Sequence, residues 1–130
     1  MTKYLLDTEA YLWLLNDDKK LSQTAREALM ERGSTTYIST VSQLELSQQN
    51  QKQKITSLKK PIIHYFKELR IASGIELLNL TQEDIEGETT LPKIHSDLFD
   101  RLLVAQALNN QLTIISADKK LAKYPVKLIF

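Results

Sequence analysis

Four carboxylates stand where a divalent-cation site could form, although they are widely separated along the chain. Asp7 directly follows a short apolar run of the kind that forms a buried strand, and Asp118 comes shortly after another. Glu45 and Asp100 each lie in the first turn of a predicted helix. In open α/β sheets, sites form outside the carboxyl ends of the strands. The four acids could therefore converge on one edge of such a sheet.

Each acid also has an ordinary structural interpretation when it is taken singly. Asp7 could end a strand, Glu45 could complete a capping box with Ser42, and Asp118 could nucleate a turn. Asp100 could simply interact with the helix dipole. Carboxylates crowded within about 5 Å repel by roughly 1–4 kcal/mol per pair at a surface-like dielectric, so such a cluster usually needs a cation. With no cysteine and only two histidines in the chain, hard oxygen ligands favour Mg²⁺ or Mn²⁺ over zinc.

The stretch IHSDLFDRLLVAQA, residues 94–107, places two acids in front of an apolar helical run. Asp97 is predicted to be the helix N-cap, and Asp100, three residues later, is the acid of this stretch that could join the other three at the sheet edge. His95 is predicted to be a surface or capping residue and not a general base. Arg101 could contact a phosphate or form a salt bridge with a neighbouring carboxylate, and the sequence leaves both alternatives open.

The elements that would carry these acids alternate between strands and helices, which predicts a parallel sheet covered on both faces. Apolar and β-branched runs predict strands at 4–6, 36–40, 75–80 and 112–115, with 127–130 as a candidate fifth. Helical spacing and capping signals predict helices after Thr8, between Ser22 and Gly33, from Ser42, at 61–72, near 82–89 and after Asp97.

Composition sets the broad class of the protein. The 130 residues suit one compact domain, and 42% hydrophobic residues are enough for a core. A net charge of +1 argues neither for nor against a nucleic-acid partner. The absence of cysteine excludes disulfide scaffolds and thiolate metal sites and favours a cytoplasmic location. We expect no signal peptide, because Asp7 follows only three apolar residues, and no membrane span, because no apolar run approaches about 18 residues.

Taken together, these motifs resemble PIN-domain ribonucleases of the VapC toxin kind, from prokaryotic toxin–antitoxin modules. The resemblance rests on YLLDTEAYLWLL at 4–15, the helix start at 42–45, IHSDLFDRLLVAQA at 94–107 and IISADKKLAKYPV at 114–126. It implies a PIN-like three-layer α/β/α sandwich with a mainly parallel central sheet of about five strands, formed by residues 1–130 as a single domain.

The same resemblance implies hydrolysis of RNA phosphodiester bonds with Mg²⁺ or Mn²⁺. The family's metal-binding and catalytic acids fall on Asp7, Glu45, Asp100 and Asp118, with Asp97 as a supporting acid.

Residues next to these acids could support the site. Thr8 and Ser116 could hydrogen-bond a ligand carboxylate or a metal-bound water, although both could instead be helix caps. Glu9 departs from the family pattern, since one branch often has histidine there, and it adds negative charge beside the cluster.

Partners follow partly from charge and partly from the resemblance. Residues 52–70 carry six bases against one acid, a local net of +5, and Lys52, Lys54, Lys59 and Lys60 are the predicted RNA-binding residues. A solvated helix face is the alternative. The resemblance also implies a cognate antitoxin and a homodimer, and the apolar run at 11–15 could serve either interface or the core. The alternative function is a non-catalytic PIN-like module that binds RNA or protein.

Overall fold

The structure is a computed structural model that describes residues 1–51, 61 and 64–130. In chain order its elements are β1 Lys3–Leu6, α1 Thr8–Leu15, α2 Gln23–Leu29, β2 Thr35–Ser39, α3 Thr40–Gln51, a π-helical segment Tyr65–Leu69, α4 Arg70–Ala72, β3 Glu76–Leu78, α5 Gln82–Thr90, α6 Leu98–Asn110, β4 Thr113–Ile115, a 3-10 helix Lys119–Lys123 and β5 Lys127–Ile129. No helix in these ranges is long and apolar enough to cross a membrane.

The five strands form one sheet in the order β3-β2-β1-β4-β5, and every neighbouring pair is parallel. Parallel neighbours require a crossover connection, and helices of the chain supply it. The predicted α/β/α sandwich is therefore confirmed, and all strands predicted from the sequence are present, each within two residues of its predicted start.

The sheet buries both of its faces, as its continuous apolar strands require. Leu6 and Ile115 join a core cluster with Tyr11 of α1, whereas Leu5 and Ile114 join a second cluster with residues of α6. All four strand residues are fully buried. Tyr11 therefore belongs to the core, while residues 12–15 are half-buried and pack against the same cluster.

Two predicted helix caps were wrong because a neighbouring residue takes the role. Asp7, not Thr8, is the N-cap of α1, and Thr8 is the first residue of that helix. Ser42 lies inside α3, because this helix begins directly after β2 without a loop. The hydroxyl of Ser39, at the end of β2, accepts a hydrogen bond of 3.0 Å from the amide of Val41, which lies in the first turn of α3.

The caps of the other helices follow the sequence more closely. Ser22 caps α2 and Asp97 caps α6, as predicted. The prediction of Gly33 as the helix stop was wrong: α2 ends at Leu29, and Gly33 has a φ of +80° in the turn that leads to β2. Part of the helix predicted at 61–72 lies outside the described residues, and the rest contains the π-helical segment and α4.

A fully buried carboxylate holds α5 against α6. Asp84 is 1% exposed, and its oxygens accept hydrogen bonds from the Thr81 amide at 3.0 Å, from Gln106 at 3.3 Å and from Asn109 at 3.0 Å. Gln106 also accepts a hydrogen bond of 2.5 Å from Ser39 at the end of β2. This network connects α6, the helix that carries Asp100, to β2, the strand that leads into α3. It therefore fixes the relative positions of two elements that carry candidate site residues.

Gln106→Leu tests how much this hydrogen-bond network stabilises the fold. The substitution introduces an apolar residue of similar size and leaves buried Asp84 and Ser39 each without one partner, which we expect to lower the free energy of unfolding by about 2–4 kcal/mol. Urea unfolding measures the change. Gln23→Leu, at an exposed position of α2, is the matched control and should alter stability by less than about 0.5 kcal/mol. Equal stability of both variants would contradict a stabilising role for the network.

Candidate metal centre

The carboxyl ends of β1 and β4 bring Asp7 and Asp118 to the same edge of the sheet. Asp7 is 8% exposed; one oxygen accepts the Ala10 amide at 2.8 Å, and the other accepts the hydroxyl of Ser116. The Ser116 oxygen in turn accepts the Asp118 amide at 3.0 Å. Ser116 therefore connects the two acids through hydrogen bonds, and its supporting role at a metal site stays a prediction.

Glu45 reaches this edge from α3. Because α3 begins at Thr40, Glu45 lies in the second helical turn and not in the first, which corrects the prediction. The Thr8 hydroxyl lies 2.5 Å from Glu45 Oε1 and 2.9 Å from the Ser42 hydroxyl. Thr8 is thus a hydrogen-bonding partner of a predicted ligand, although it is not a helix cap.

The start of α6 contributes the remaining acids. Asp97 accepts hydrogen bonds from the amides of Phe99 at 2.9 Å and Asp100 at 3.4 Å, which is the geometry of an N-cap. This capping fixes the first turn of α6 and leaves the Asp100 side chain to face His95. The division of roles between the two acids, a cap and a candidate ligand, is therefore compatible with the structure.

His95 is the site residue that sequence reasoning missed. It was predicted to be a surface or capping residue, but its side chain is only 13% exposed and lies among the acids. Its Nε2 atom is 2.9 Å from Asp118 Oδ2 and 3.4 Å from Asp100 Oδ2. The sequence signal for His95 was its position two residues before the N-cap Asp97. No spacing rule, however, shows that the segment before this helix turns toward the end of β4.

One group of donor atoms is close enough to hold a metal ion. Within the described ranges, His95, Asp100 and Asp118 offer one ligand atom each, all within 4.8 Å of one another. Asp7 and Glu45 lie outside this tight group, yet the charges of both act on Asp100. The structure thus brings the four predicted acids to one region, with Asp100 and Asp118 at its centre.

Burial and mutual repulsion raise the pKa of three of these carboxyls. Burial, with the charges of Asp97 and Glu45, raises the pKa of Asp100 to about 7. Burial raises the pKa of Asp7 to about 6, although its hydrogen bonds from Ser116 and Ala10 act in the opposite direction. Burial also raises the pKa of Glu45, and nearby carboxylates add to the effect. Each of these three carboxyls is therefore less stable in its ionised form at this site than it would be in water.

Asp118 behaves differently from the other acids. Burial raises its pKa, but the hydrogen bonds from His95 and the Lys120 amide and the charges of both residues outweigh that effect, so that the net shift is downward. Asp118 is therefore the carboxylate that most readily stays ionised.

The donor set fits a hard divalent cation. Across residues 1–51, 61 and 64–130, no lysine or arginine forms an ion pair with Asp7, Glu45 or Asp100. Carboxylate oxygens are the ligands that Mg²⁺ and Mn²⁺ prefer, and a cation would offset the burial and the neighbouring charges that raise these pKa values. A possible acidic metal site is therefore present at this edge of the sheet.

Comparison with known proteins agrees with this geometry. A family model described as the PIN domain matches residues 4–127. The chain belongs to the PIN domain family. A comparison with curated sequences gave no significant match.

Solved structures share the fold of this PIN domain at low sequence identity. VapBC2 from Rickettsia felis bound to a promoter DNA fragment is 18% identical with a TM-score of 0.70, and the match covers 98% of each chain. A toxin–antitoxin complex from Klebsiella pneumoniae is 22% identical with a TM-score of 0.66, over 98% of this chain and 96% of that one. FitAcB from Neisseria gonorrhoeae is 15% identical with a TM-score of 0.61, over 98% and 96% respectively.

Arg101 of this PIN domain supports a loop and does not face the acids. Its side chain is buried, forms an ion pair with Glu88 at 3.3 Å and donates to the backbone carbonyls of Glu88 and Pro92 at 3.0 Å each. Of the two alternatives left open by the sequence, the salt bridge describes the structure. The predicted RNA-binding residues Lys52, Lys54, Lys59 and Lys60 lie outside the described residues.

The raised pKa of Asp100 predicts a pH-dependent stability without metal. Because this pKa rises from 3.8 to about 7 on folding, the folded protein binds more protons than the unfolded chain between these values. The free energy of unfolding should therefore fall as the pH rises through this window. Asp100→Asn removes the charge, so we expect it to stabilise the metal-free protein by about 1–3 kcal/mol at pH 8 and to change little at pH 4.

Urea unfolding in the presence of a chelator measures this difference at both pH values. Glu83→Gln, at an exposed position of α5, is the control and should give the same small change at both. Destabilisation by Asp100→Asn at pH 8 would show that burial and neighbouring charges do not make the Asp100 carboxylate unfavourable.

Proposed function

We propose that this PIN domain is a divalent-cation-dependent endoribonuclease that acts as the toxin of a toxin–antitoxin pair. The observation that carries the proposal is the junction of Asp7, Glu45, Asp100 and Asp118, which come from four separate segments and repel one another. An arrangement that destabilises the protein without a cation is expected of a functional site more than of a structural one.

The residues of the junction divide into two groups by their contacts. Asp100 and Asp118 would hold the cation directly, because a carboxylate oxygen of each lies within 4.8 Å of the other. Asp7 and Glu45 would add negative charge around the cation. Ser116 orients Asp7 and Thr8 orients Glu45 through hydrogen bonds. Mg²⁺ or Mn²⁺ held by these residues would supply an activated water for attack on phosphorus and a positive charge to offset the negative charge on the phosphoryl oxygens.

An RNA substrate is supported by the resemblance and by the charge around the acids. Lys119 and Lys120 are exposed and directly follow Asp118, and exposed Lys93 precedes His95 by two residues. Ammonium groups beside a metal centre can contact a phosphate backbone on either side of the scissile bond.

A protein partner is supported by exposed apolar side chains that adjoin two of the acids in the sequence. Leu44, next to Glu45, is 59% exposed, and Leu98, next to Asp97, is 54% exposed. The similar structure from Klebsiella pneumoniae is a toxin–antitoxin complex. An antitoxin segment that covers Leu44 and Leu98 would bury both and block the metal centre. A homodimer and a cytoplasmic location complete the proposal by analogy with the VapC kind.

Purified protein should cut structured RNA only when Mg²⁺ or Mn²⁺ is supplied. Asp7→Asn and Asp118→Asn each remove a charge that the cation needs, so we expect each to slow cleavage at least about 100-fold, which corresponds to several kcal/mol of lost stabilisation. Gel analysis of the RNA measures the rate, and Glu83→Gln should cut like the wild type. Wild-type cleavage no faster than that of Asp7→Asn would leave only the non-catalytic RNA- or protein-binding module.

Expression of the wild-type chain in bacteria should arrest growth, whereas Asp7→Asn should not. Co-expression of a cognate antitoxin should restore growth. Leu44→Glu and Leu98→Glu should abolish this rescue but keep the toxicity, because they charge the surface that the antitoxin would cover. Growth curves record all three results. Equal toxicity of the wild type and the Asp7→Asn variant would contradict the proposal that the protein is a nuclease toxin.

A further inference from the structure

His95 joins two carboxylates that belong to different elements. Its Nε2 atom lies 2.9 Å from Asp118 Oδ2, beyond β4, and 3.4 Å from Asp100 Oδ2, on α6. The side chains of Asp118 and Asp100 are 34% and 22% exposed, so neither is confined by packing alone. The Lys120 amide holds Oδ1 of Asp118 at 3.0 Å, so Asp100 is the side chain that charge repulsion would turn toward water if His95 were absent.

The other ring nitrogen shows which tautomer His95 adopts. The Asp97 amide donates a hydrogen bond to His95 Nδ1 at 3.2 Å, so Nδ1 presents its lone pair. In a neutral imidazole the proton then resides on Nε2. Nε2–H is therefore the donor toward both carboxylates, with the shorter hydrogen bond to Asp118 and a longer one to Asp100.

Two buried side chains hold the backbone of His95 in place. Its amide donates to the Tyr124 hydroxyl at 2.9 Å, and Arg101 Nη1 lies 3.4 Å from its carbonyl oxygen. Tyr124 is 3% exposed and Arg101 9% exposed, and Arg101 also holds the Pro92 carbonyl at 3.0 Å. The ring therefore projects into the acids from a segment that is anchored on its far side.

We propose that His95 is a positioning residue, which uses its Nε2–H to hold Asp100 and Asp118 at the spacing that one divalent cation requires. Tyr124 and Arg101 act behind it by fixing its backbone. This inference rests on the proposed metal-dependent function. Direct ligation by Nε2 is disfavoured, because the proton would have to move to Nδ1, which faces the Asp97 N–H.

Mn²⁺ affinity, measured by calorimetry without RNA, tests the positioning role. His95→Phe removes the donor but keeps a ring, and we expect it to weaken Mn²⁺ binding about 10–100-fold, as is typical when a partner of a metal ligand is lost. His95→Gln can restore a donor near the Nε2 position and should recover most of the affinity. His64→Gln, at the chain's other histidine, is the control and should bind like the wild type.

Tyr124→Phe provides a variant that leaves the ring itself intact. It removes the hydroxyl that holds the His95 amide, and it should weaken Mn²⁺ binding by a smaller factor than His95→Phe. Circular dichroism confirms that each variant folds. Unchanged Mn²⁺ affinity in both His95→Phe and Tyr124→Phe would overturn the positioning role while leaving the nuclease proposal intact. No Mn²⁺ binding by the wild type would overturn both.

Spectroscopy separates positioning from ligation. Long-range ¹⁵N–¹H NMR of the metal-free protein at pH 8 should show the Nε2–H tautomer for His95, and the Nδ1–H tautomer would overturn the inference. In the His64→Gln background, pulsed electron paramagnetic resonance of bound Mn²⁺ should show no directly coordinated ¹⁴N. A directly coordinated imidazole, with no recovery of affinity in His95→Gln, would make His95 a ligand and overturn the inference.

Discussion

The parallel pairing of β1 with both β2 and β4 is the constraint on which the acidic site depends. Register places Leu6 beside Ile115, so the residues that follow, Asp7 and Ser116, meet although they lie 109 positions apart in the chain. On its other side β1 pairs with β2, whose end leads directly into α3 and Glu45. A sheet in which β1 lay at an edge would bring Asp7 to only one of these neighbours. The central position of β1 therefore decides that acids from distant segments share one small volume.

The fold and the positions of the acids could be predicted because both follow from chain-wide rules. Alternating apolar runs and helical spacing identify a parallel sheet, and acids that follow strand ends fall at its carboxyl edge. Helix starts were less predictable, because adjacent polar residues compete for one cap. Asp7 and Thr8 both suit an N-cap, and the one that is closer to β1 takes it. At α3, the hydroxyl of Ser39, the last residue of β2, accepts the Val41 amide of the first turn, and the Ser42 hydroxyl contacts Thr8 instead.

The residues that escaped prediction are those whose role depends on tertiary contacts of a loop. His95 enters the site because Tyr124, which lies beyond the 3-10 helix, accepts the His95 amide. Arg101 follows a candidate ligand in sequence, yet helical geometry turns it toward Glu88 and the carbonyl of Pro92. Neighbours on a helix point in different directions, so adjacency to Asp100 carried no information about the orientation of Arg101. Only the packed structure distinguishes a residue that supports the site from one that lines it.

Helix capping and metal binding are compatible at this edge because each capping acid commits one oxygen to the backbone. Asp7 gives Oδ1 to the Ala10 amide and leaves Oδ2 for Ser116, and Asp118 gives Oδ1 to the Lys120 amide and leaves Oδ2 for His95. The committed oxygen fixes the side-chain torsion, so the remaining oxygen is oriented before any cation arrives. The helix N-terminus also offsets part of the cost of burying the negative charge. The local chemistry that makes these acids good caps is therefore what makes them rigid, and rigid carboxylates cannot relieve their mutual repulsion by turning away.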